Sequence, residues 1–318
     1  MTVTLVSVIV PCHNEEDTIG RCLSAVLDTK LPPNVTTEVI VVNDRSEDRS
    51  VKIIREFPVR RLDKRYSRSR NPYAETINVG IKHARGDYIA IVDADIEVER
   101  EWLGKLLPHF RDEDLATVSG FIIASSGNSW VSRLYHIMHR RTLFRARDTG
   151  QTATEEIFPK SGFYIFRRSV FESVGLFDES IFATDIMLDL EILAHGYKQL
   201  CDMSAIAHDI RGYTTRKLIQ TGIREGTAMY QTGGSLLYMH EQLVFKYIVL
   251  SPHYLVTLFR SGKSLTSLLF PVYALIKYLS TVAGYLNAVL REEQRCEQYL
   301  RRKRRENEIR WMLNSFKR

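Results

Sequence analysis

The chain has 318 residues, of which 44% are apolar and 26% are charged, and its mean hydropathy is −0.18. This composition is typical of a globular protein with a packed core, and it excludes a disordered chain or one made mainly of membrane spans. The net charge is +6, with basic clusters at residues 60–70, 140–147 and 301–305, which favours an anionic partner such as nucleotide phosphates, an acidic membrane surface or nucleic acid.

The four cysteines, at positions 12, 22, 201 and 296, have neither metal-ligand nor disulfide-framework spacing, which indicates a reducing compartment. The apolar run at residues 1–10 has no basic leader or cleavage site and leads directly into a strand-like pattern. We therefore expect the main domain to face the cytoplasm.

The first half of the chain alternates between strand and helix patterns. Strands are predicted at Leu5–Val10, Val39–Val42 and Tyr88–Val92, with helical patterns ending at Leu27 and covering residues 48–56 and 74–84. Continuous apolar strands separated by helices predict an α/β fold with a mostly parallel sheet flanked by helices. Ligands of such sheets bind at the carboxyl ends of the strands.

The second half continues with a basic, helical segment at residues 130–147, a strand at Phe163–Phe166 and a helix at Thr184–His195. From about residue 241 the composition changes to two strongly apolar stretches, Leu243–Phe259 and Leu268–Leu290, followed by a charged tail. This change predicts a catalytic domain at residues 1–233 and a helical C-terminal region at residues 234–318.

The tripeptide Asp93-Ala94-Asp95 directly follows the third strand. Two carboxylates at a strand end need a partner, because burial of an unpaired charge is costly. A divalent cation such as Mg²⁺ takes one or two carboxylates and fills its other positions with water and phosphate oxygens, so the spacing suits a metal–diphosphate clamp. The alternative is a solvated turn whose aspartates cap the helix that includes Trp102.

Asp44 ends the second strand at the same edge of the sheet. Its carboxylate is suited to accept hydrogen bonds from a nucleotide base or ribose, as acidic residues do after the second strand of other nucleotide-binding sheets. The alternative makes Asp44 a turn residue or a helix cap.

Three segments, in this order and spacing, resemble the nucleotide-binding motifs of family 2 glycosyltransferases: VIVPCHNEE at residues 8–16, VNDRSED at 42–48 and GDYIAIVDAD at 86–95. SGFYIFRR at 161–168 and VGLFDE at 174–179 are similar to the family's acceptor-side strand and following turn. The resemblance covers about residues 4–230. It implies the GT-A fold and an inverting transfer from a nucleotide diphosphate sugar.

The resemblance also assigns roles to residues. Pro11, His13 and Glu15 would line the nucleotide pocket, and Asp44 would contact the nucleotide base. Asp93 and Ala94 would lie near the ribose and diphosphate. Asp95 would be the ligand of Mg²⁺ or Mn²⁺, and His208 is similar to the histidine that completes the metal site in some GT-A enzymes. The alternative for His208 is a structural role.

The family's general base usually belongs to an acidic pair that opens a helix after the acceptor strand. Here Thr184 replaces the first acid, so Asp185 is the candidate base, with Asp189 one helical turn later as the second choice. The alternative is a helix N-terminus capped by Thr184, where Asp185 only interacts with the helix dipole.

A basic loop is expected after His208, and a mobile loop of this kind is suited to close over the diphosphate and neutralise charge as it leaves. It carries Arg211, Arg216, Lys217 and Arg224. The family's processive polymerases have a Gln-x-x-Arg-Trp motif here, whereas this chain has Gln220 to Arg224 without a tryptophan. Transfer of a single sugar is therefore expected.

The apolar stretch Leu268–Leu290 is long enough to span a bilayer, but Lys277 lies in its middle, and insertion of a central lysine costs about 2.5 to 3.5 kcal/mol. We therefore expect helices that lie at an anionic membrane surface, with a peripheral or anchored protein at the cytoplasmic face. A lipid-linked acceptor would explain a location at the membrane surface. The acceptor is therefore expected to be a sugar or a lipid-linked molecule. The alternative is a helical pair packed on the catalytic domain or across a homodimer interface.

Two other functions remain open. A sugar nucleotidyltransferase also uses carboxylate-bound metal, but residues 11–17 are acidic and lack the glycine-rich, basic signature expected after its first strand. A noncatalytic sugar-nucleotide or membrane-binding relative fits Thr184 at the acidic pair. Nucleic acid is not expected as a partner, because the basic clusters are dispersed and no recognition motif accompanies them.

Overall fold

The computed structural model describes residues 3–67, 69–124, 129–134, 153–154, 162–231, 234–237, 241 and 269–290. The predicted segment Leu243–Phe259, most of residues 130–147 and the charged tail lie outside the described residues. Contacts divide the described chain into two compact units. The first contains residues 3–124, 153–154, 162–180 and 184–211, and the second contains residues 129–134, 181–183 and the described residues from 212 onward. The functional boundary near residue 233 stays a prediction.

Each strand or helix that was predicted within the described residues lies close to an observed one. The strands are β1 Thr4–Cys12, β2 Val35–Asn43, β3 Arg60–Asp63, β4 Tyr88–Val92, β5 Ile96–Val98, β6 Leu115–Ala124, β7 Ala153–Thr154, β8 Phe163–Arg167 and β9 Lys198–Asp209. The helices are α1 Ile19–Leu27, α2 Ser50–Ile54, α3 Pro72–His83, α4 Trp102–Leu106, α5 Val170–Ser173, α6 Thr184–Ala194, α7 Thr215–Gln231 and α8 Phe270–Leu290, with a short 3₁₀ turn at Leu107–Arg111.

The described strands form one sheet in the order β3-β2-β1-β4-β8-β6-β9-β5, with β7 paired to β9. The strands from β3 to β4 are parallel, as predicted, but β8 is antiparallel to both β4 and β6, and β5 and β7 are antiparallel to β9. β6 and β9 are parallel to each other. The sheet is therefore mixed: the expected parallel pairing is observed from β3 to β4 and again between β6 and β9, and β5, β7 and β8 are antiparallel to their neighbours. Continuous apolar runs report burial on both faces of a strand, and they do not report its direction.

Helices cover both faces of the sheet in the first unit. Val8 and Val10 of β1 belong to a core that includes Trp102, whereas Ile9 between them belongs to a second core with Ile77 of α3. Alternate side chains of one strand thus pack into different cores, as the strand period of two requires. This double burial fixes the strand ends, and the polar loops that follow them begin from a rigid edge.

In the second unit, α7 and α8 pack closely because glycines face the contact. A Cβ at Gly226 would overlap the carbonyl oxygen of Thr281, and a Cβ at Gly284 would overlap that of Ile223. Lys277 is buried against the same contact, where its Nζ pairs with Glu225 Oε1 at 2.8 Å. The charge in the middle of the apolar stretch therefore has a partner on the neighbouring helix.

No helix within the described ranges combines the length and the apolar character needed to cross a bilayer.

Candidate functional site

The loops after β1 and β2 are joined by hydrogen bonds at the carboxyl edge of the sheet. The Nδ1–H of His13 donates to the Asp44 carbonyl oxygen at 2.6 Å, and the Glu15 amide donates to Ser50 Oγ at 2.8 Å. Pro11 is buried in β1, whereas His13 is exposed. The three residues predicted to line a nucleotide pocket therefore lie at the end of β1 and in the loop that follows it, and His13 ties this loop to Asp44, the residue predicted to contact the nucleotide base.

Asp44 is buried, and two cations bind its carboxylate. Arg45 Nε donates to Oδ1 at 2.9 Å, and Lys64 Nζ lies 3.3 Å from Oδ2 and 3.0 Å from Glu75 Oε2. Lys64 is itself buried and donates to the Thr76 hydroxyl. The two cations fix the orientation of this buried carboxylate, which suits a hydrogen-bond acceptor for a ligand N–H.

Lys64 was not identified from the sequence as a site residue. It belongs to the basic cluster at residues 60–70, which favoured a solvent-facing partner, but its charge is used inside the fold. The available signal was its position directly after β3, next to the strand that carries Asp44.

Asp93 follows β4 and is held from two sides. The Tyr73 hydroxyl donates to Asp93 Oδ1 at 2.7 Å, and the Asp93 amide donates to the Gly162 carbonyl oxygen at 2.9 Å. Gly162 has φ +68°, and a Cβ there would overlap the Asp93 carboxylate. The glycine before β8 is thus required by both its backbone conformation and its closeness to Asp93.

Asp95 is 2% exposed, and Ala94 beside it is also buried. Asp95 Oδ2 pairs with Arg211, whereas Oδ1 has no hydrogen-bond partner within the described part of the chain. The alternative in which these aspartates cap the helix of Trp102 is wrong, because β5 intervenes and the residue at the cap position of that helix is Glu101. The Asp95 carboxylate is thus buried with one oxygen paired to a cation and the other without a described partner.

Other acids surround Asp95. Burial raises the pKa of the Asp95 carboxyl well above its usual value, the Arg211 guanidinium opposes this shift, and Asp93, Asp209 and Glu15 add to it. Asp209, at the end of β9, is a buried member of this cluster that the sequence analysis did not single out.

His208 is half-buried in β9, opposite Glu97 of β5. Within the residues that the structure describes, no three or more His, Cys, Asp or Glu side chains are spaced to hold a metal ion among themselves. A metal role for His208 stays a prediction, as does the metal role of Asp95.

Both candidate bases lie on α6, which starts at Thr184 as predicted. Asp185 is in its first turn and Asp189 is one turn later. Asp185 is half-buried, and its Oδ1 accepts a hydrogen bond from the Ile186 amide at 2.9 Å, whereas Asp189 is buried. The Thr184 hydroxyl has no hydrogen-bond partner among the described residues, so capping by Thr184 is not observed.

Tyr164 connects this helix electrostatically to the end of β4. Burial raises the pKa of the Tyr164 phenol well above its usual value, and the carboxylates of Asp93, Asp185 and Asp189 raise it further. These three carboxylates therefore lie around one phenol. Tyr164 and Tyr73 were missed from the sequence, because an aromatic residue in a buried strand or a helix is usually explained by packing.

Arg216 and Arg224 lie on helix α7, so the expectation that they belong to a loop is wrong; both are exposed, and α7 belongs to the second unit. Their predicted contact with a diphosphate stays a prediction.

Comparison with known proteins identifies the family. The model of glycosyl transferase family 2 matches residues 7–175, just over half of the chain. The poly-β-1,6-N-acetyl-D-glucosamine synthase of Staphylococcus aureus strain MSSA476 is 27% identical over 199 residues, which are 61% of this chain and 47% of that protein. The probable glycosyltransferase YdaM of Bacillus subtilis strain 168 is 29% identical over 201 residues, covering 60% and 47%. The match thus spans about half the length of these relatives.

Solved structures show the same fold. The mannosyltransferase PcManGT from Pyrobaculum calidifontis, in complex with GDP-Man and Mn²⁺, is 17% identical with a TM-score of 0.56, over 91% of this chain and 86% of that chain. GalNAc-T7 with UDP, GalNAc and Mn²⁺ is 16% identical with a TM-score of 0.51, over 70% and 47%.

The chain belongs to glycosyl transferase family 2 and has the GT-A fold.

The fit between Gly162 and Asp93 generates a prediction. Gly162→Ala is expected to destabilise the protein by about 1–3 kcal/mol and to displace the Asp93 carboxylate, because the new Cβ overlaps it. Gly196→Ala is the matched control, since Gly196 also has a positive φ, +80°, but its Cβ would meet no described atom within 4 Å. Urea unfolding of both variants measures the difference. Equal losses of unfolding free energy would contradict a specific role of Gly162.

Proposed function

We propose that this protein is a glycosyltransferase that moves one sugar from a nucleotide diphosphate sugar to an acceptor with inversion at the transferred carbon. The observation that carries the proposal is the buried Asp95 at the end of β4, whose Oδ1 has no partner among the described residues. Family membership and the carboxylates around Tyr164 support it. Transfer of a single sugar is proposed because Glu225, and not a tryptophan, directly follows Arg224.

A divalent cation fits this site. Asp95 offers a carboxylate oxygen that has no partner among the described residues, and the surrounding acids favour added positive charge. We propose Asp95 as the ligand of Mg²⁺ or Mn²⁺, with His208 as a second candidate; both neighbouring structures described above contain Mn²⁺. When bound, the cation supplies neutralisation of the leaving diphosphate.

The protein's own residues orient the donor. Asp44, held in place by Lys64 and Arg45, accepts a hydrogen bond from a base N–H. Pro11 at the end of β1, with His13 and Glu15 in the loop that follows, forms the wall beside it. Asp93, held by Tyr73, lies with Ala94 at the ribose and diphosphate. We propose that Arg216 and Arg224 bind the departing diphosphate.

Asp185 is the better candidate base because it is half-buried, whereas Asp189 is buried one turn farther along α6. In the proposed step, the acceptor hydroxyl gives its proton to Asp185 while its oxygen forms a bond to the sugar carbon. The bond from that carbon to the diphosphate oxygen breaks, and the nucleoside diphosphate leaves with the electron pair.

The outer face of α8 supports an anionic membrane surface as a further partner. Exposed apolar side chains recur at helical intervals of three, four and seven residues, opposite the face that packs on α7: Val272, Leu275, Leu279, Leu286 and Leu290. A continuous exposed apolar stripe is typical of interfacial helices. We propose a peripheral enzyme at the cytoplasmic membrane face, with a lipid-linked acceptor, and a homodimer interface as the competing use of this stripe.

The metal is tested by calorimetry. UDP- and GDP-sugars are titrated into the protein with Mn²⁺ and with EDTA, beside Asp95→Ala. We expect binding with Mn²⁺ to weaken at least tenfold in EDTA or in the variant, because a ligand to the cation beside the diphosphate is lost. Donor affinity that is equal with Mn²⁺ and with EDTA would refute the metal role. Donor binding without hydrolysis or transfer would favour a noncatalytic relative.

The base is tested by two matched variants. Asp185→Asn is expected to keep donor affinity and to lower turnover by about 10² to 10⁴, the range for loss of general base catalysis. Asp189→Asn, one turn along the same helix, is expected to have the smaller effect. A large loss only in Asp189→Asn would transfer the role to Asp189, and normal turnover in both would remove this helix from the mechanism.

Membrane contact is tested by flotation with anionic liposomes at low salt. Leu279→Asp is expected to reduce flotation strongly, because a charge enters the apolar stripe, whereas Leu31→Asp, an exposed leucine of the first unit, is expected to leave it unchanged. If the intact protein does not float and Leu279→Asp converts a dimer into a monomer, the stripe is a subunit interface.

A further inference from the structure

Arg211 lies between two buried carboxylates. Its guanidinium pairs with Asp95 Oδ2, its Nε lies 3.4 Å from Asp209 Oδ1, and its backbone amide donates to the same Asp209 oxygen at 3.0 Å. The Arg211 side chain is 27% exposed, whereas those of Asp95 and Asp209 are 3% and 7% exposed. A partly accessible cation thus neutralises a carboxylate that solvent hardly reaches.

We propose that Arg211 is a placeholder counterion, which pairs with Asp95 in the ligand-free protein and releases it to a divalent cation. The guanidinium then keeps Asp209 and turns towards the donor diphosphate. This proposal rests on the proposed function in one respect, namely that Asp95 is the metal ligand.

The charges around Asp95 explain why the exchange is favourable. Asp93, Asp209 and Glu15 all act on Asp95, and the strongest opposing influence is Arg211. The single positive charge of Arg211 does not balance this group of carboxylates. In addition, Asp95 Oδ1 has no partner among the described residues. A divalent cation brings twice the charge and can bind the oxygen that Arg211 does not reach.

The backbone allows the exchange without refolding. The Ile210 amide donates to the Asp95 carbonyl oxygen at 2.9 Å, and the Arg211 amide is held by Asp209, so both contacts persist when the guanidinium moves. The Arg211 guanidinium can then move by rotation of its side-chain torsions, which is a fast motion for a partly exposed side chain.

The proposal predicts that loss of Arg211 changes the affinities for Mn²⁺ and for nucleoside diphosphate in opposite directions. Removal of Arg211 should tighten the binding of Mn²⁺ alone, because a competing cation is lost from Asp95, and weaken the binding of nucleoside diphosphate in the presence of Mn²⁺. If Arg211 occupies Asp95 about nine-tenths of the time, the gain in Mn²⁺ affinity is about tenfold. A residue that only supports the loop would weaken both.

The experiment is a titration of Mn²⁺ followed by the EPR signal of the free ion, without nucleotide, on the full chain and on Arg211→Gln. We expect tighter Mn²⁺ binding in Arg211→Gln and no gain in Arg211→Gln/Asp95→Asn. Arg21→Gln is the control, because Arg21 pairs with Glu97 two residues from Asp95 and its loss should leave Mn²⁺ affinity unchanged. Thermal unfolding provides a second readout: Arg211→Gln should melt lower without Mn²⁺ and gain more from Mn²⁺ than the unchanged chain does.

The outcomes separate the two proposals. Equal or weaker Mn²⁺ binding by Arg211→Gln than by the unchanged chain overturns the placeholder role and leaves the metal site standing. No Mn²⁺ binding by either protein, both without nucleotide and with a nucleoside diphosphate added, overturns both. Should Arg211→Gln fail to fold, Arg211→Lys takes its place: lysine pairs less well with a carboxylate, so a two- to fivefold gain is expected, and no gain overturns the proposal.

Discussion

Burial of the Asp95 carboxylate is the constraint on which the site depends. The effective cost of removing an ion from water is several kcal/mol, so a carboxylate that is 2% exposed requires a counter-charge. Arg211 supplies one on Oδ2, and Oδ1 has none within the described chain. Asp95 is therefore buried, paired with one cation and left with one oxygen that has no described partner. A carboxylate in this state is suited to bind a further cation.

The rest of the first unit fixes the positions of the carboxylates. Both faces of the sheet are packed, so β1, β2 and β4 end at defined points, and hydrogen bonds then join the loops that follow them. Lys64 pairs with Asp44, Tyr73 and Gly162 hold Asp93, and Tyr164 is acted on both by Asp93 and by the acids of α6. An enzyme that positions two substrates benefits from groups fixed in this way.

The sequence was sufficient to predict the parallel half of the sheet, the start of α6 and the acids at the strand ends, because apolar periodicity and local spacing carry that information. Strand direction after β4 was not predictable, since burial on both faces is independent of direction. Lys64 and Asp209 were also missed. Each acts through a partner that is distant in sequence, such as Asp44 for Lys64, and a single sequence does not show such contacts.

The central claim is that the Asp95 carboxylate holds the cation that binds the donor diphosphate. The most direct measurement is the anomalous scattering of manganese in crystals grown with Mn²⁺ and a nucleoside diphosphate. The account predicts a single strong peak within bonding distance of the Asp95 carboxylate and of the diphosphate oxygens, with Arg211 turned away from Asp95. A diphosphate bound at the ends of β1 and β4 with no manganese peak at Asp95 would contradict it.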